Sequence, residues 1–297
     1  MGTILDGKAV AQAVRRSVKD GVARFHVQHG YAPGLATVLI GDDPVSRVYV
    51  GTKEKACREV GIQSFGYRLP ATVTTAEVLA LIVELNTRAD VHGILIQLPL
   101  PGHLEKERLI ESLAPEKDVD ALHPLNQGRL LLGEEGLRPC TPLGVMRLLD
   151  ESGVPLVGKK AVVIGRSMLV GKPVALMLLE RHATVTCCHS HTADIASEVR
   201  AADIVIAAIG QPEVIKGAWI KAGAVVIDVG ISRLADGSLR GDVEFTAARE
   251  RAASITPVPG GVGPMTVAML LANTLKAAEK QSGQRSAVSS QQDRGKS

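Results

Sequence analysis

Apolar positions along this chain recur with two alternating periods. Between Asp6 and His29 they return every three to four residues, with Val10, Val14, Val18, Val22 and Phe25 on one stripe. That spacing predicts an amphipathic helix. Leu35–Ile40 is a short continuous apolar run and reads as a strand buried on both faces. Asp43 and Pro44 offer an N-cap and a first-turn proline to a second helix, reaching about Val60. Ile62–Leu69 reads as a strand, Thr75–Thr87 as a helix and His92–Gln97 as a strand. A second alternating set starts at Lys160, with strands near Ala161–Ile164, Thr184–Cys188, Asp203–Ala208, Ala224–Val229 and Ser254–Thr256. This order predicts parallel α/β sheets with helices on both faces.

Pro115–Gly136 breaks the rhythm and is expected to be a long functional loop or linker. Thr141 and Pro142 then start a helix to about Ser152. After Pro257–Pro264, a last helix is expected over Thr266–Lys280, its apolar face (Val267, Leu270, Leu271, Leu275) returning to the first domain. The expected fold is therefore α/β with two domains and a cleft between them. Residues 1–138 and the returning helix 266–280 form an N-terminal substrate domain. Residues 139–265 form a Rossmann-like domain with a parallel sheet. Residues 281–297 are Ser- and Gln-rich and are expected to be a disordered polar tail.

Composition removes several function classes. The net charge is +3, but Arg285, Arg294 and Lys296 against Asp293 place +2 of it in that tail. The remainder carries no basic stripe for nucleic acid or an anionic membrane. Aromatic residues make up 2%, too few for a base-stacking platform. Four cysteines form no C-x-x-C pair, and no metal site is expected. Met1–Lys8 lacks an apolar signal core and no run reaches membrane length, so a cytoplasmic setting is expected.

The strongest chemical signal lies in Val162–Pro173. A β-branched strand ends at Gly165, and Gly171-Lys172-Pro173 opens the next helical period. Such a strand–turn–helix aims amides and a helix dipole at one point, which suits a phosphate. It departs from G-x-G-x-x-G, and Leu169 excludes a G-x-S-x-G nucleophile elbow. Roughly 20 residues on, an NAD site carries an acid. Here stands His189-Ser190-His191-Thr192, with no acid before Asp194. Ser190 with Arg166 suits a 2′-phosphate, so NADP is expected over NAD. Elsewhere, Ser46, Tyr49 and Lys53 share one helix face. Gln97 ends an apolar strand at the usual binding edge, and Asp118-Val119-Asp120 lies beside Pro124. Plainer readings stand beside these: a turn that only packs, a solvated lysine, a strand terminator and a pair of solvated acids.

Together, Ser46–Lys53, Gly93–Pro101, Lys117–Asp120, Gly165–Pro173 and Pro257–Thr266 resemble the bifunctional methylenetetrahydrofolate dehydrogenase/methenyltetrahydrofolate cyclohydrolase family of one-carbon metabolism. The resemblance runs from about Asp6 to Lys280. Ala121 departs from it, standing where glycine is expected. The resemblance implies Lys53 as the key catalytic group, Tyr49 packed against the folate and Gln97 bonded to Lys53. It implies Asp120 on the pterin, with Gly261 and Pro264 also at the substrate. Gly165, Arg166 and Ser167 would hold NADP phosphates, Ser190 the 2′-phosphate, and Ile231 would lie near the nicotinamide. It further implies tetrahydrofolate substrates and a homodimer built through the second domain. A lysine with a reference pKa of about 10.4 accepts a proton only if desolvation or a nearby positive charge lowers that value. Two other readings fit the dinucleotide motif: a dehydrogenase of another small substrate, of the shikimate type, and a non-catalytic NADPH sensor. Neither needs Tyr49, Lys53 and Gln97 together.

Overall fold

The apolar runs become the strands of two parallel sheets. The computed structural model describes residues 1–294. In chain order they form β1 (Thr3–Ile4), α1 (Gly7–His29), β2 (Gly34–Ile40), α2 (Pro44–Val60), β3 (Gln63–Leu69), α3 (Thr75–Thr87), β4 (Gly93–Ile96), α4 (Lys106–Glu111), α5 (Pro124–Leu131), α6 (Cys140–Ser152), β5 (Lys160–Ile164), α7 (Gly171–Glu180), β6 (Thr184–Cys188), α8 (Ile195–Ala201), β7 (Ile204–Ala207), β8 (Val225–Asp228), β9 (Ser232–Arg233), β10 (Leu239–Arg240), α9 (Phe245–Arg251), β11 (Ser254–Ile255) and α10 (Val262–Arg294). They divide into two compact units. One comprises Met1–Ala13, Leu130–Glu134 and Pro139–Met269; the other comprises Val14–Arg129, Glu135–Arg138 and the chain from Leu270.

The second of these units, called the folate-side unit after the substrate that the resemblance implies for it, holds the sheet β3-β2-β4. Both of its strand pairings are parallel. β2 is buried along its whole length, as its unbroken apolar run requires. Ala36, Val38 and Ile40 pack with Val78, Ile82 and Leu85 of α3 and with Ile94 and Ile96 of β4. Each large aliphatic side chain so buried contributes about 1.5–3 kcal/mol. Asp43 caps α2 as expected, its carboxylate accepting the Ser46 amide at 2.7 Å. Gly61 ends α2 in the left-handed region at φ 85°, where glycine carries no Cβ penalty. Asp118 extends the sheet through a parallel bridge to Ile94. Gly93 makes room for this, since a Cβ there would lie 2.6 Å from Val119.

The other unit, called the dinucleotide-side unit after the cofactor expected there, holds a six-stranded sheet in the order β1-β11-β8-β7-β5-β6, parallel throughout. β5 comes first of its five C-terminal strands in sequence. It has β6 on one side and β7 on the other. This is the point where strand order reverses, and in open α/β sheets ligands bind outside the carboxyl ends of the strands there.

Several expectations change. Pro115–Gly136 is no unbroken loop, because Pro124–Leu131 forms α5. Its helical period is too short to stand out beside the proline and glycine around it. The N-terminal residues group with the dinucleotide-side unit, where Thr3 and Ile4 pair with Ser254 and Ile255 of β11. A two-residue strand leaves no period to read. α10 starts at Val262 and runs to Arg294, past the expected end at Lys280. The expected disorder is therefore corrected for Gln281–Arg294. The Gln281 amide donates to the His92 carbonyl at 2.8 Å, and the Ser282 hydroxyl pairs with Tyr31 at 2.8 Å. Composition alone cannot register such distant partners. Residues 295–297 of the expected tail lie outside the described residues.

Candidate functional site

In the folate-side unit, α2 carries Ser46, Tyr49 and Lys53 at helical spacing. Ser46 is buried, Lys53 is half-buried, and Tyr49 leaves 43% of its surface to solvent. Lys53 Nζ donates to Gln97 Oε1 at 2.9 Å. Gln97 lies one residue past β4 and is held on both sides. Its own amide N–H donates to the Val38 carbonyl at 2.9 Å, and its Nε2 donates to the Leu98 carbonyl at 2.6 Å. With the nitrogen so committed, the acceptor oxygen is the atom left for Lys53. One turn further along α2, burial pushes the Cys57 thiol up to about 12, and Glu54 adds to that rise. A thiol so poised is a core group and no nucleophile.

Asp118 and Asp120 have opposite environments. Asp118 is almost fully buried, and its Oδ2 accepts the His123 amide at 2.7 Å and Asn126 Nδ2 at 3.1 Å. Burial raises its carboxyl to about 6, against the pull of those two donors. The rest of the loop is tied down as well. Asn273 Nδ2 donates to the Val119 carbonyl at 2.7 Å, Gln127 Nε2 to the Ala121 carbonyl at 2.6 Å, and Leu125 N–H to His123 Nδ1 at 3.0 Å. Asp120 is half-buried, and among the described residues its carboxylate has no hydrogen-bond partner. Ala121 sits at φ 54°, the left-handed region that explains why glycine was expected there. Its carbonyl and amide are both bonded all the same.

In the dinucleotide-side unit, the turn after β5 is built around glycine. Gly165 lies at φ 120°, and a Cβ there would meet the Ala208 carbonyl oxygen at 2.1 Å. A Cβ on Gly171 would meet the Gly165 oxygen at 2.0 Å. Ser167 braces the turn by accepting the Val170 amide at its hydroxyl, 3.1 Å, and the Lys172 amide at its carbonyl, 3.1 Å. Val170, just before α7, offers that helix no side-chain cap. Strand register puts Arg166 and Ser190 at the same edge of the sheet. Ile164 pairs with Cys188, and each of the two residues lies two positions beyond that pair. Both are exposed, and neither side chain has a partner among the described residues. His189 and Thr192 close the turn around Ser190 through the His189 amide and the Thr192 hydroxyl at 2.9 Å. Ile231, 42% exposed, lies beside Gly263 at the start of α10, 3.5 Å from where a Cβ would be. Pro264 follows in the first turn of α10. Gly261 is buried, with its carbonyl against Gly7. A cradle of glycine backbone, an uncapped helix start and two unpartnered polar side chains fit a phosphorylated dinucleotide. Among the described residues, no group of three His, Cys, Asp or Glu side chains is placed to hold a metal ion.

Sequence reasoning missed three groups. Lys117 is buried and donates to the Leu85 and Arg88 carbonyls at the end of α3, at 3.1 and 2.7 Å. Asp228 and Asp242 are both buried near the carboxyl ends of β7 and β8. Asp228 accepts the amides of Gly230, Asp242 and Val243 at 3.1, 3.0 and 2.9 Å. Burial lifts its carboxyl to about 7 against those donors. The available signal was an acid within two residues of glycine, in Asp228-Val229-Gly230 and Gly241-Asp242, which alone reads as turn chemistry.

Comparison with known proteins finds two family matches along the chain. Residues 5–120 match the model of the tetrahydrofolate dehydrogenase/cyclohydrolase catalytic domain, and residues 139–282 that of its NAD(P)-binding domain. The chain is 58% identical over 280 residues to the bifunctional protein FolD of Geotalea uraniireducens, covering 94% of this chain and 100% of that one. Its fold matches the Campylobacter jejuni FolD enzyme, a methylenetetrahydrofolate dehydrogenase/cyclohydrolase, at a TM-score of 0.92 and 48% identity, over 95% of this chain and 100% of that one. The Trypanosoma brucei enzyme, solved with NADP and an inhibitor, matches at 0.91 and 45% identity, over 94% and 98%. Shikimate 5-dehydrogenase of Thermus thermophilus shares the fold alone, at 0.52 and 16% identity over 83% and 99%.

Proposed function

This chain belongs to the tetrahydrofolate dehydrogenase/cyclohydrolase family, and on that premise we propose how its own residues carry the two reactions. The substrate is 5,10-methylenetetrahydrofolate. NADP, held by the Gly165–Ser167 turn, would supply the acceptor for the hydride of the folate's one-carbon bridge, whose loss gives a methenyl cation. Water then adds to that carbon, a proton leaves, and the ring opens to 10-formyltetrahydrofolate. The observation that carries this reading is the Lys53–Gln97 hydrogen bond at 2.9 Å on the same helix face as exposed Tyr49.

Lys53 Nζ is the proton-handling group of the second step. A methenyl cation beside it favours the neutral amine, which accepts the proton of the attacking water. Gln97 holds Nζ in one direction. Tyr49 offers a flat apolar face to the folate's aromatic part, and Gly261 and Pro264 complete the substrate contacts. Asp120 takes the adjacent N–H donors of the pterin, since a carboxylate can accept two in parallel. Gly165, Arg166 and Ser167 hold the cofactor phosphates, Ser190 and Arg166 the 2′-phosphate, and Ile231 the nicotinamide end. Unpartnered Arg166 and Ser190 support NADP over NAD. Free cysteines suit a reducing cytoplasm, and the family likeness supports a homodimer built through residues 139–265, which sedimentation tests.

The decisive experiment follows absorbance after mixing the protein with methylenetetrahydrofolate and either NADP or NAD. Methenyltetrahydrofolate and NADPH absorb in distinct ultraviolet bands. Reduction of NADP, with the methenyl band rising and then decaying, is the expected result. Absence of either band change overturns the corresponding activity.

A further inference from the structure

Asp242 is fully buried and gives its whole carboxylate to one loop. Its Oδ2 accepts the amides of Ile209 and Gly210 at 2.5 and 3.1 Å, and its Oδ1 accepts that of Gln211 at 2.9 Å. These are three consecutive amides in the loop after β7. Asp228, the last residue of β8, holds Asp242 in turn by accepting its backbone amide and that of Val243. Two glycines make room for the pair. A Cβ on Gly230 would lie 2.0 Å from the Asp242 carboxylate, and one on Gly241 would lie 2.0 Å from that of Asp228.

The trans peptide fixes what this loop shows to a ligand. In each peptide unit the N–H and C=O point in opposite directions. Three amides turned onto Asp242 therefore turn the carbonyls of Ala208, Ile209 and Gly210 away from it. The Ala208 oxygen abuts Gly165 in the turn after β5. The Gly210 oxygen accepts the Ser232 hydroxyl at 3.3 Å. The Ile209 oxygen has no hydrogen-bond partner among the described residues. Consecutive loop amides can bind phosphate as a nest, but here they are spent internally.

We infer that Asp242 is a positioning residue for the dinucleotide, turning the loop after β7 into an acceptor surface that takes an O–H or N–H donor of the cofactor. Phosphate is left to the Gly165–Ser167 turn. The donor is a hydroxyl of the nicotinamide ribose or the carboxamide N–H, the two donor groups at that end of the molecule. This rests on the dinucleotide reading of the unit.

The test uses the whole enzyme, whose second reaction consumes no cofactor and so reports independently on folding. In Asp242→Asn, an amide nitrogen opposes incoming N–H donors and the loop loses its template. NADP affinity should fall at least tenfold while the cyclohydrolase rate falls less than threefold, and Asp242→Glu should recover part of the affinity. NADP affinity within twofold of wild type, or parallel loss of both, overturns the inference. Wild-type enzyme supplies an arm that needs no variant. An NADP analogue bearing acetyl in place of carboxamide should bind at least fivefold more weakly if the carboxamide is the donor. An analogue lacking the nicotinamide-ribose hydroxyls should do so if the ribose is. Undiminished binding of both analogues overturns the inference, whereas failure of wild type to bind NADP itself overturns the dinucleotide reading instead.

Discussion

At 2.9 Å the Gln97 oxygen orients Lys53 Nζ, but as a neutral acceptor it does little to hold the charge there. A carboxylate in its place would favour the ammonium form by 1–3 pKa units, on the order of tenfold or more less free amine. Gln97→Glu should therefore keep the fold and depress cyclohydrolase turnover at least tenfold, with the deficit shrinking as pH rises. Lys53→Met should abolish that turnover while NADP titration stays as in wild type; wild-type hydrolysis of methenyltetrahydrofolate by this variant would sink the role given to Lys53. The two acids nearby separate by environment. Asp120→Asn replaces one acceptor oxygen with a donor and should weaken folate binding in both reactions, with NADP affinity as the control. Asp118 acts through its Oδ2, which braces the loop. Proton uptake near pH 6 turns a charged acceptor into a neutral one, weakening it by about 1 kcal/mol. The folate KM should thus rise severalfold between pH 7 and 5, with little change in the NADP KM. Unfolding through this group is not the cause. Its folded pKa lies above the unfolded value of 3.8, so its stabilising contribution is full below that value and is lost as pH rises through about 6. A flat folate KM across that range would contradict the bracing role.

Elements decide which of these residues share a sheet edge. Arg166 and Ser190 are 24 positions apart in the chain, yet the β5–β6 register sets each two residues past Ile164 and Cys188. A charge-assisted hydrogen bond contributes about 1.5–3 kcal/mol, so Arg166→Ala should weaken NADP at least tenfold and NAD much less. Equal losses for both cofactors would make Arg166 a brace of the turn. Much of this was legible beforehand. Asp43-Pro44 announced the start of α2, β2 its burial, and the i, i+3, i+4 spacing the shared face of Tyr49 and Lys53. Cys187 and Cys188 fall on opposite sides of β6, one exposed and one buried, as strand alternation requires. What escaped was set by distant partners. β1 exists only because β11 pairs with it. Gln281 and Ser282 are ordered by His92 and Tyr31. Asp118 and Asp120 look alike in sequence, and only the Asn126 side chain and the His123 amide tell them apart.

Across the whole molecule, two helices run through both units. α1 has Gly7–Ala13 in the dinucleotide-side unit and continues into the other, and α10 crosses the same division after Met269. Helices propagate cooperatively and restart at high cost, so melting one unit strips helical turns from elements the other needs. One transition is therefore expected for the whole chain. The chromophores allow this to be read unit by unit. The single tryptophan, Trp219, lies in the dinucleotide-side unit, and all three tyrosines, Tyr31, Tyr49 and Tyr67, lie in the folate-side unit. Tryptophan fluorescence and tyrosine absorbance should melt at one midpoint. NADP at about 100 times its Kd adds roughly 2.7 kcal/mol to the form that binds it. Although its proposed contacts to Gly165, Arg166 and Ser190 all lie in the dinucleotide-side unit, both midpoints should rise together by several degrees. If the Trp219 transition moves alone while the tyrosine signal melts as before, the shared helices do not couple the two units, and each unfolds on its own.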